Sequence, residues 1–365
     1  MDVAVLGGGA IGFAIAGALA DRGVAVTLYE RDELGSGATG RAAGICYDAF
    51  ADPVDAAAAR HAIEHYRSWN LFTPTPYVWV AREDGDATAI EGQVEAMRDN
   101  GVDAERIAPE ELAERYRALD TEGVVAAAVA HSAGTVDPDA VVAALAERAC
   151  TAGATVHTET PAALTGPRTV ETDDGTESFD AVVVAAGPAT APIVADVGVS
   201  LALKSYRAQA LVTDPVGADL PSLYDTTRTF YWRPHGDAVL VGDGAHEVDP
   251  TECNPDADPE FVRSALARFG EATTLSPTAA RSWAGCCTAT PDRDPLVGPV
   301  ADGLWVATGW QGHGLMRAPA IGDWVAAGVC GADDPFDVPV GERFDPTRFD
   351  GEERFHPLGD PTADW

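Results

Sequence analysis

The sequence predicts an α/β chain in which a βαβ unit at the start is joined to an antiparallel sheet further on. Three observations predict it. Two short apolar runs, Asp2–Leu6 and Val24–Tyr29, flank a glycine turn and an Ala-rich segment within the first thirty residues. A third apolar run, Ala181–Val184, returns much later. Between 204 and 245 the apolar residues alternate or run in short stretches. With 365 residues, 46% of them apolar, the chain can build a large core and suits two domains.

Asp2–Leu6 has the size of a buried strand, and Ile11–Arg22 reads as a helix that Gly23 ends. Val24–Tyr29 is the next strand, closed by Glu30, and Gly35–Gly44 (GSGATGRAAG) is a second glycine loop. Helices follow at Ala56–Trp69, Glu91–Asn100 and Pro109–Arg117, with a strand at Tyr77–Ala81. Asp137–Ala152 is a helix with proline near its start, and Ala154–Thr158 a strand. Ala163–Val184 is a meander that turns at Asp173-Asp174-Gly175 and ends in Ala181–Val184. Arg207–Thr213, Thr229–Arg233 and Ala238–Val241 supply the antiparallel sheet, and Asp258–Phe269 a helix. Leu304–Thr308 is a strand, Gly309–Gly314 a loop and Leu315–Val329 a helix. From Gly331 the chain is acidic, with Phe344 and Phe349 as anchors for a segment that wraps the surface or frays.

The formal net charge is −34, and Lys204 is the only lysine among 24 basic residues. This excludes a nucleic-acid binder with a broad basic face and disfavours anionic lipid. An acidic, lysine-poor surface repels itself at low ionic strength and is screened in high salt, so a cytoplasmic protein of a salt-adapted organism is expected. No apolar run reaches the roughly 18 residues of a membrane span. The first strand begins at residue 2, so no leader is expected. Cys46, Cys150, Cys253, Cys286, Cys287 and Cys330 show no Cys-x-x-Cys spacing, so free thiols and no metal site are expected. His61 and His65 stand one helical turn apart but lack a Glu after the first, and are read as a solvated helix face.

Gly7-x-Gly9-x-x-Gly12 sits between strand and helix. The first glycine allows the tight turn, the second lets a pyrophosphate approach, and the third lets helix and strand pack closely. The helix start offers free N–H groups and a positive dipole end to phosphates. Glu30 ends the second strand, where a carboxylate accepts from a ribose 2′-hydroxyl and repels a 2′-phosphate. FAD or NAD is therefore expected over NADP. After Glu30 the chain leaves the unit and returns only at Ala181–Gly187, which favours FAD.

Five segments carry a resemblance: Val5–Gly12 with Glu30; Gly35–Gly44; Gly134-Thr135-Val136-Asp137-Pro138; Trp283-Ala284-Gly285 through Thr290-Pro291-Asp292 and Pro295–Gly298; and Gly309-Trp310-Gln311-Gly312-His313-Gly314 with Ala318–Gly322. On these the chain resembles the D-amino-acid oxidase, glycine oxidase and sarcosine oxidase family of flavoproteins. The resemblance implies a Rossmann-like, two-dinucleotide-type FAD domain assembled from residues 1–50, 134–200 and 280–345. It implies an α+β substrate domain with an antiparallel sheet from 51–133 and 201–279, and leaves 346–365 as an acidic tail. It implies FAD contacts from Gly7, Gly9, Ala10, Ile11, Gly12, Glu30, Arg31, Thr39, Arg41, Ala42, Ala43, Ala186, Gly187, Gly285, Gly309, Gln311, Gly312, His313, Gly314, Leu315 and Met316. Backbone donors at Gly312–Gly314 would face the flavin edge that gains charge on reduction. Tyr231 over the substrate, His313 beside substrate or flavin, and Arg41 near the reactive flavin edge are the catalytic candidates.

The sequence departs from the family at three places. Cys287 stands where the glycine-oxidase branch carries a carboxylate-binding arginine, and Met316 where the sarcosine-oxidase branch carries a lysine. Arg233, Arg281 and Arg317 are the candidate substitutes. Leu240 stands where the sarcosine-oxidase branch has an oxygen-activating lysine, which favours a dehydrogenase passing electrons to a quinone or flavoprotein over an oxidase using O₂. The family's covalent tether position matches Gly285, so FAD is expected to bind non-covalently. The expected reaction is oxidation of the C–N bond of a small amine, sarcosine-like, proline-like or a D-amino acid, by hydride transfer to flavin N5 to give an imine. One alternative is oxidation of a 2-hydroxy acid or polyol phosphate, with His235, His246 or His313 as base. Another is an FAD-carrying subunit of a hetero-oligomer. A homo-oligomer is equally compatible with the sequence.

Overall fold

The computed structural model describes residues 1–249, 253–350 and 353–355. Positions 351–352 and 356–365 of the expected tail lie outside the described residues. Two large sheets organise the molecule. The first has six strands, in the order Leu296–Ala301, Leu304–Thr308, Ala181–Val184, Asp2–Leu6, Ala25–Tyr29 and Thr155–His157. All neighbours are parallel except Leu296–Ala301, which runs antiparallel to Leu304–Thr308. Its central strands are near-continuous apolar runs because both faces are covered. Helix Ala10–Asp21 lies on one face, packed between helices Pro138–Thr151 and Gly314–Cys330. Small residues set these crossings: a Cβ on Gly322 would lie 2.5 Å from the Ala14 carbonyl oxygen. The other face is covered by Leu164, Val170 and Phe179 from the meander and by Val194. The meander is an antiparallel ribbon of Ala163–Gly166, Thr169–Thr172 and Gly175–Ser178, and Ala181–Val184, read as its last strand, belongs to the six-stranded sheet.

The second sheet has eight strands, in the order Ala279–Ala289, Lys204–Thr213, Ala238–Val248, Phe230–His235, Ser222–Asp225, Tyr77–Ala81, Ala126–Ala130 and Ala104–Ile107. Every pairing is antiparallel except Ser222–Asp225 with Tyr77–Ala81. Helix Pro259–Ala272 seals one region of it, with Phe261, Ala265 and Phe269 against Leu211, Trp232 and Val241. Helix Asp84–Asp99 seals another, with Ile90, Val94 and Met97 against Tyr77, Trp79 and Ala81.

Several elements differ from the sequence reading. Ala126–Ala130 is a strand although alanine favours helix; pairing on both edges overrides that propensity. Ala104–Ile107, Ser222–Asp225 and Leu296–Ala301 are also strands that periodicity did not mark. Ala279–Ala289 pairs along Lys204–Thr213, so the domain boundary drawn at residue 280 falls inside a strand of the larger sheet. Helix Pro53–Ser68 begins earlier than expected because Asp52 caps it, accepting from Val54 N at 2.8 Å and Asp55 N at 3.2 Å. The C-terminal segment wraps as far as residue 350. Phe344 is fully buried, and Arg348 pairs with both oxygens of Asp292 at 2.7 and 2.8 Å. The aspartate of the Thr-Pro-Asp motif thus anchors the segment around Arg348.

Candidate active site

The two sheets share one cavity of about 1060 Å³. That is at or above the upper size of ordinary small-ligand pockets, and enough for a dinucleotide with a small substrate. One end is the glycine turn. Gly7 has φ +115°, and a Cβ there would lie 2.5 Å from the Ala185 carbonyl oxygen. A Cβ on Gly12 would overlap the Gly7 carbonyl oxygen, and one on Gly9 would meet only the Thr39 hydroxyl, at 3.1 Å. Thr39 Oγ1 accepts from Ala10 N at 3.1 Å, tying the second glycine loop to the helix start. The Glu30 carboxylate accepts from Gly8 N at 2.6 Å and Asp32 N at 2.9 Å, which fixes it at the mouth of the turn. Arg31 is exposed beside it and pairs with Asp32 at 2.9 Å.

The middle of the cavity is built by the 309–316 segment and the 35–44 loop. Gln311 donates from its backbone to Thr288 O at 2.9 Å and from Nε2 to Thr290 O at 3.4 Å. Its Oε1 is buried without a hydrogen-bond partner among the described residues. Gly312 has φ +85° and faces open space. His313 caps helix Gly314–Cys330, whose first residues Gly314, Leu315 and Met316 line the cavity. The His313 Nε2 is 3.4 Å from the Tyr47 hydroxyl. Burial, helped by the Arg317 charge, pushes the His313 imidazole down to about 3, so it is neutral at working pH. Arg41 folds back, its guanidinium donating to the Ser36 and Gly37 carbonyls, and its own carbonyl accepts from Trp283 Nε1 at 3.0 Å.

The far end lies at the eight-stranded sheet. Tyr47, Tyr77, Trp79, Tyr224 and Tyr231 form an aromatic wall. Tyr47 stacks on Tyr77 with centroids 4.9 Å apart, and Trp79 meets Tyr77 edge-on at 4.7 Å. Tyr231 lies across Gly242, where any Cβ would overlap its ring. Burial pushes Tyr47 and Tyr231 up to about 12, so both keep their protons and stay hydrogen-bond donors. Asp243, beside a bulge in its strand, lines the same end, and burial raises it to about 6 against the opposing Arg268 charge.

Most expected site residues meet in this cavity: Gly7, Gly9, Ala10, Ile11, Glu30, Arg31, Thr39, Arg41, Ala42, Ala43, Ala186, Gly187, Tyr231, Gly285, Gln311, Gly312, His313, Gly314, Leu315 and Met316. Gly12 and Gly309 do not line it. Gly12 lets the helix sit on the turn, and Gly309 lets its strand end pack on Thr290, 2.6 Å from where its Cβ would be. The three candidate arginines are also elsewhere. Arg233 is buried and donates to the Ala43 and Pro234 carbonyls, Arg281 covers Trp283, and Arg317 pairs with Asp55 at 3.0 Å under Phe50. None of them lines the cavity, nor do His235 and His246. Sequence reasoning missed Tyr47, Tyr77, Trp79, Tyr224 and Asp243. Two signals were present: aromatic residues at i and i+2 of one strand, and an acid inside an apolar strand.

The cradle fits FAD. Added side chains would close the turn at Gly7 and Gly12, Gly312 leaves the backbone open, and Gln311 keeps a buried acceptor in the wall. Residues 2–327 match the family model DAO, described as FAD-dependent oxidoreductase. The chain belongs to that family of FAD-dependent oxidoreductases. The solved structure of L-proline dehydrogenase from P. horikoshii is similar at 28% identity, with a TM-score of 0.88, over 97% of this chain and 99% of that one. Glycine oxidase of Geobacillus kaustophilus is 26% identical over 92% of this chain and 95% of its own length, and its structure gives a TM-score of 0.85. The tRNA 5-methylaminomethyl-2-thiouridine biosynthesis bifunctional protein MnmC of Chromohalobacter salexigens is 29% identical over 90% of this chain. The chain spans about half of that protein, 53% of its length.

Proposed function

We propose that the chain oxidises the C–N bond of a small amine or amino acid, sarcosine-like, proline-like or a D-amino acid, and passes the electrons to an acceptor other than O₂. The observation that carries this reading is one cavity joining the glycine cradle to a wall of tyrosines with the carboxylate of Asp243 beside them. FAD, when bound, supplies the hydride acceptor at N5, and the product is an imine. The residues around it prepare the amine. Asp243, with a pKa of about 6, is ionised at neutral pH and is placed to hold an ammonium group and take its proton, freeing the nitrogen lone pair. Tyr231 and Tyr47 remain protonated and are placed to orient the substrate by donation. His313 positions Tyr47, Arg41 braces the glycine loop, and the Gly312–Met316 helix start provides positive potential.

A hydroxy-acid substrate is less well served. It carries no ammonium group for Asp243 to hold, and the histidines named for its hydroxyl proton serve it poorly: His235 and His246 lie outside the cavity wall, and burial holds His313 neutral. The likeness to L-proline dehydrogenase supports a secondary amino acid. Leu240 supports the dehydrogenase reading: it is buried with Ala210 and Val212, leaving an apolar patch at that position. Non-covalent FAD is supported by Cys286 and Cys287, both pushed up to about 12 by burial and so poor nucleophiles. The charge of −34 supports a salt-rich working medium.

The test is anaerobic titration of the yellow protein in molar KCl. Bleaching by sarcosine, proline or a D-amino acid, followed by slow recovery in air, is the expected result. Bleaching by 2-hydroxy acids alone overturns the amine reading, and fast recovery in air overturns the dehydrogenase reading.

A further inference from the structure

Away from the cavity, two helices cross with three ligand-type side chains at the crossing. Helix Pro53–Ser68 presents His61 and His65 from one face, and helix Gly314–Cys330 presents Asp323. His61 Nε2 lies 2.8 Å from Asp323 Oδ2, and His65 Nε2 lies 3.1 Å from the same oxygen. The two imidazole nitrogens are 3.2 Å apart. Three lone-pair atoms therefore form a nearly equilateral triangle.

An ion about 2.1 Å from each atom would sit roughly 1 Å above that triangle, with ligand angles of about 85–100° and its other positions open to water. This is the facial arrangement of two imidazoles and one carboxylate. The three side chains are 30%, 32% and 27% exposed, so an ion has access without the ligands being free in solvent. Phe336 stands edge-on to His61 at 5.2 Å, and Trp69 lies 5.1 Å from His65, so aromatic rings hold both imidazoles in place. Among the described residues this is the one cluster of three such groups with ligand geometry.

We propose that His61, His65 and Asp323 form a site for a divalent transition metal of the zinc class. Two nitrogen donors and one oxygen suit zinc and its neighbours, whereas magnesium and calcium take oxygen donors. The site stands apart from the flavin cavity. None of its residues lines the flavin cavity, and Asp323 lies about 13 Å along its helix from Gly314. The ion would clasp the helix whose first turn lines the cavity to the helix whose Asp55 pairs with Arg317. The helical histidine spacing, read from sequence as a solvated face, acquires its third partner only through the fold.

Zinc alone is the probe. The holoenzyme is stripped with a chelator and titrated calorimetrically in molar KCl, which screens binding to carboxylates alone. The expected result is one equivalent of zinc that the His61→Ala/His65→Ala variant does not take up. Wild-type Tm should rise by several degrees at about 100 times Kd, and the double variant should not respond. Asp323→Asn keeps the shape of the side chain but loses its charge, and should weaken binding at least about tenfold. Equal zinc uptake and equal Tm response in wild type and double variant overturn the proposal. So does a wild type that binds no zinc. If the double variant does not fold, unchanged affinity in Asp323→Asn overturns it.

Discussion

The two ends of the cavity are built by different means. At the cradle end the backbone builds the site: Gly7, Gly9 and Gly12 are there for the side chains they lack. At the far end side chains do it, from strands and loops far apart in sequence: Tyr47, Tyr77, Trp79, Tyr224, Tyr231 and Asp243. A backbone site is local and rigid, so one turn specifies it. A side-chain site depends on how a sheet is assembled, and changes with each strand that joins it.

The largest effect is expected where the backbone has no room. Gly12→Val drives a side chain into the Gly7 carbonyl, and should yield protein without flavin or no folded protein. Gly9→Ala meets only the rotatable Thr39 hydroxyl, so it should fold and lose flavin affinity. The ratio of flavin to protein absorbance separates the two. Retention of full flavin by Gly12→Val would break the comparison.

The next effect tests what holds the far end. Asp225 is fully buried, pairs with Arg82 at 2.9 Å and accepts from Arg228 N at 2.9 Å. It stands at the one parallel junction of the eight-stranded sheet. Asp225→Ala leaves Arg82 with the Glu122 carbonyl but without its carboxylate, and should cost about 3–5 kcal/mol, read by denaturant unfolding. A loss under about 1 kcal/mol would show that strand pairing alone fixes this end.

This difference also explains what could be read from the sequence. The cradle, the βαβ unit, the returning strand at 181–184 and the 309–316 loop were legible because glycine spacing and apolar runs are local signals. Strands 104–107, 126–130 and 222–225 were not, because their pairing partners are distant and alanine carries the wrong propensity. Whether any of the candidate arginines replaces the missing clamp was not legible for the same reason. Only the fold shows that Arg233 is occupied by the Ala43 carbonyl and Arg317 by Asp55. Asp243 stood out as an acid inside an apolar strand, but its strand meets Lys204–Thr213 through a register shift that periodicity does not show.

A smaller effect is expected from Asp243 itself. An ionised carboxylate that holds an ammonium should give kcat/KM a limb near pH 6, falling on the acid side. Asp243→Asn should remove that limb and lower kcat/KM by about 10–100-fold at neutral pH. The folded pKa is above the ordinary aspartate value, so the folded state binds the extra proton. Its stabilising effect is fully present at low pH and is lost as pH rises through about 6. Asp243→Asn should flatten that part of the stability curve. An unchanged rate profile would remove Asp243 from the reaction.

The smallest effect belongs to His313, a base candidate only under the hydroxy-acid alternative. A base must change charge near working pH, and burial with the Arg317 charge holds this imidazole neutral down to about 3. Its contact is with the Tyr47 hydroxyl at 3.4 Å, so its influence on substrate passes through that tyrosine. His313→Gln keeps a side-chain amide within reach of Tyr47 and should change KM by a factor of about 2–5, with the shape of the pH profile retained. Loss of a limb from that profile would mean that His313 titrates in the complex, and the proton assigned to Asp243 would move to the helix start. The cavity would then be governed from its backbone end throughout, and the contrast between its two halves would fail at the reacting atoms.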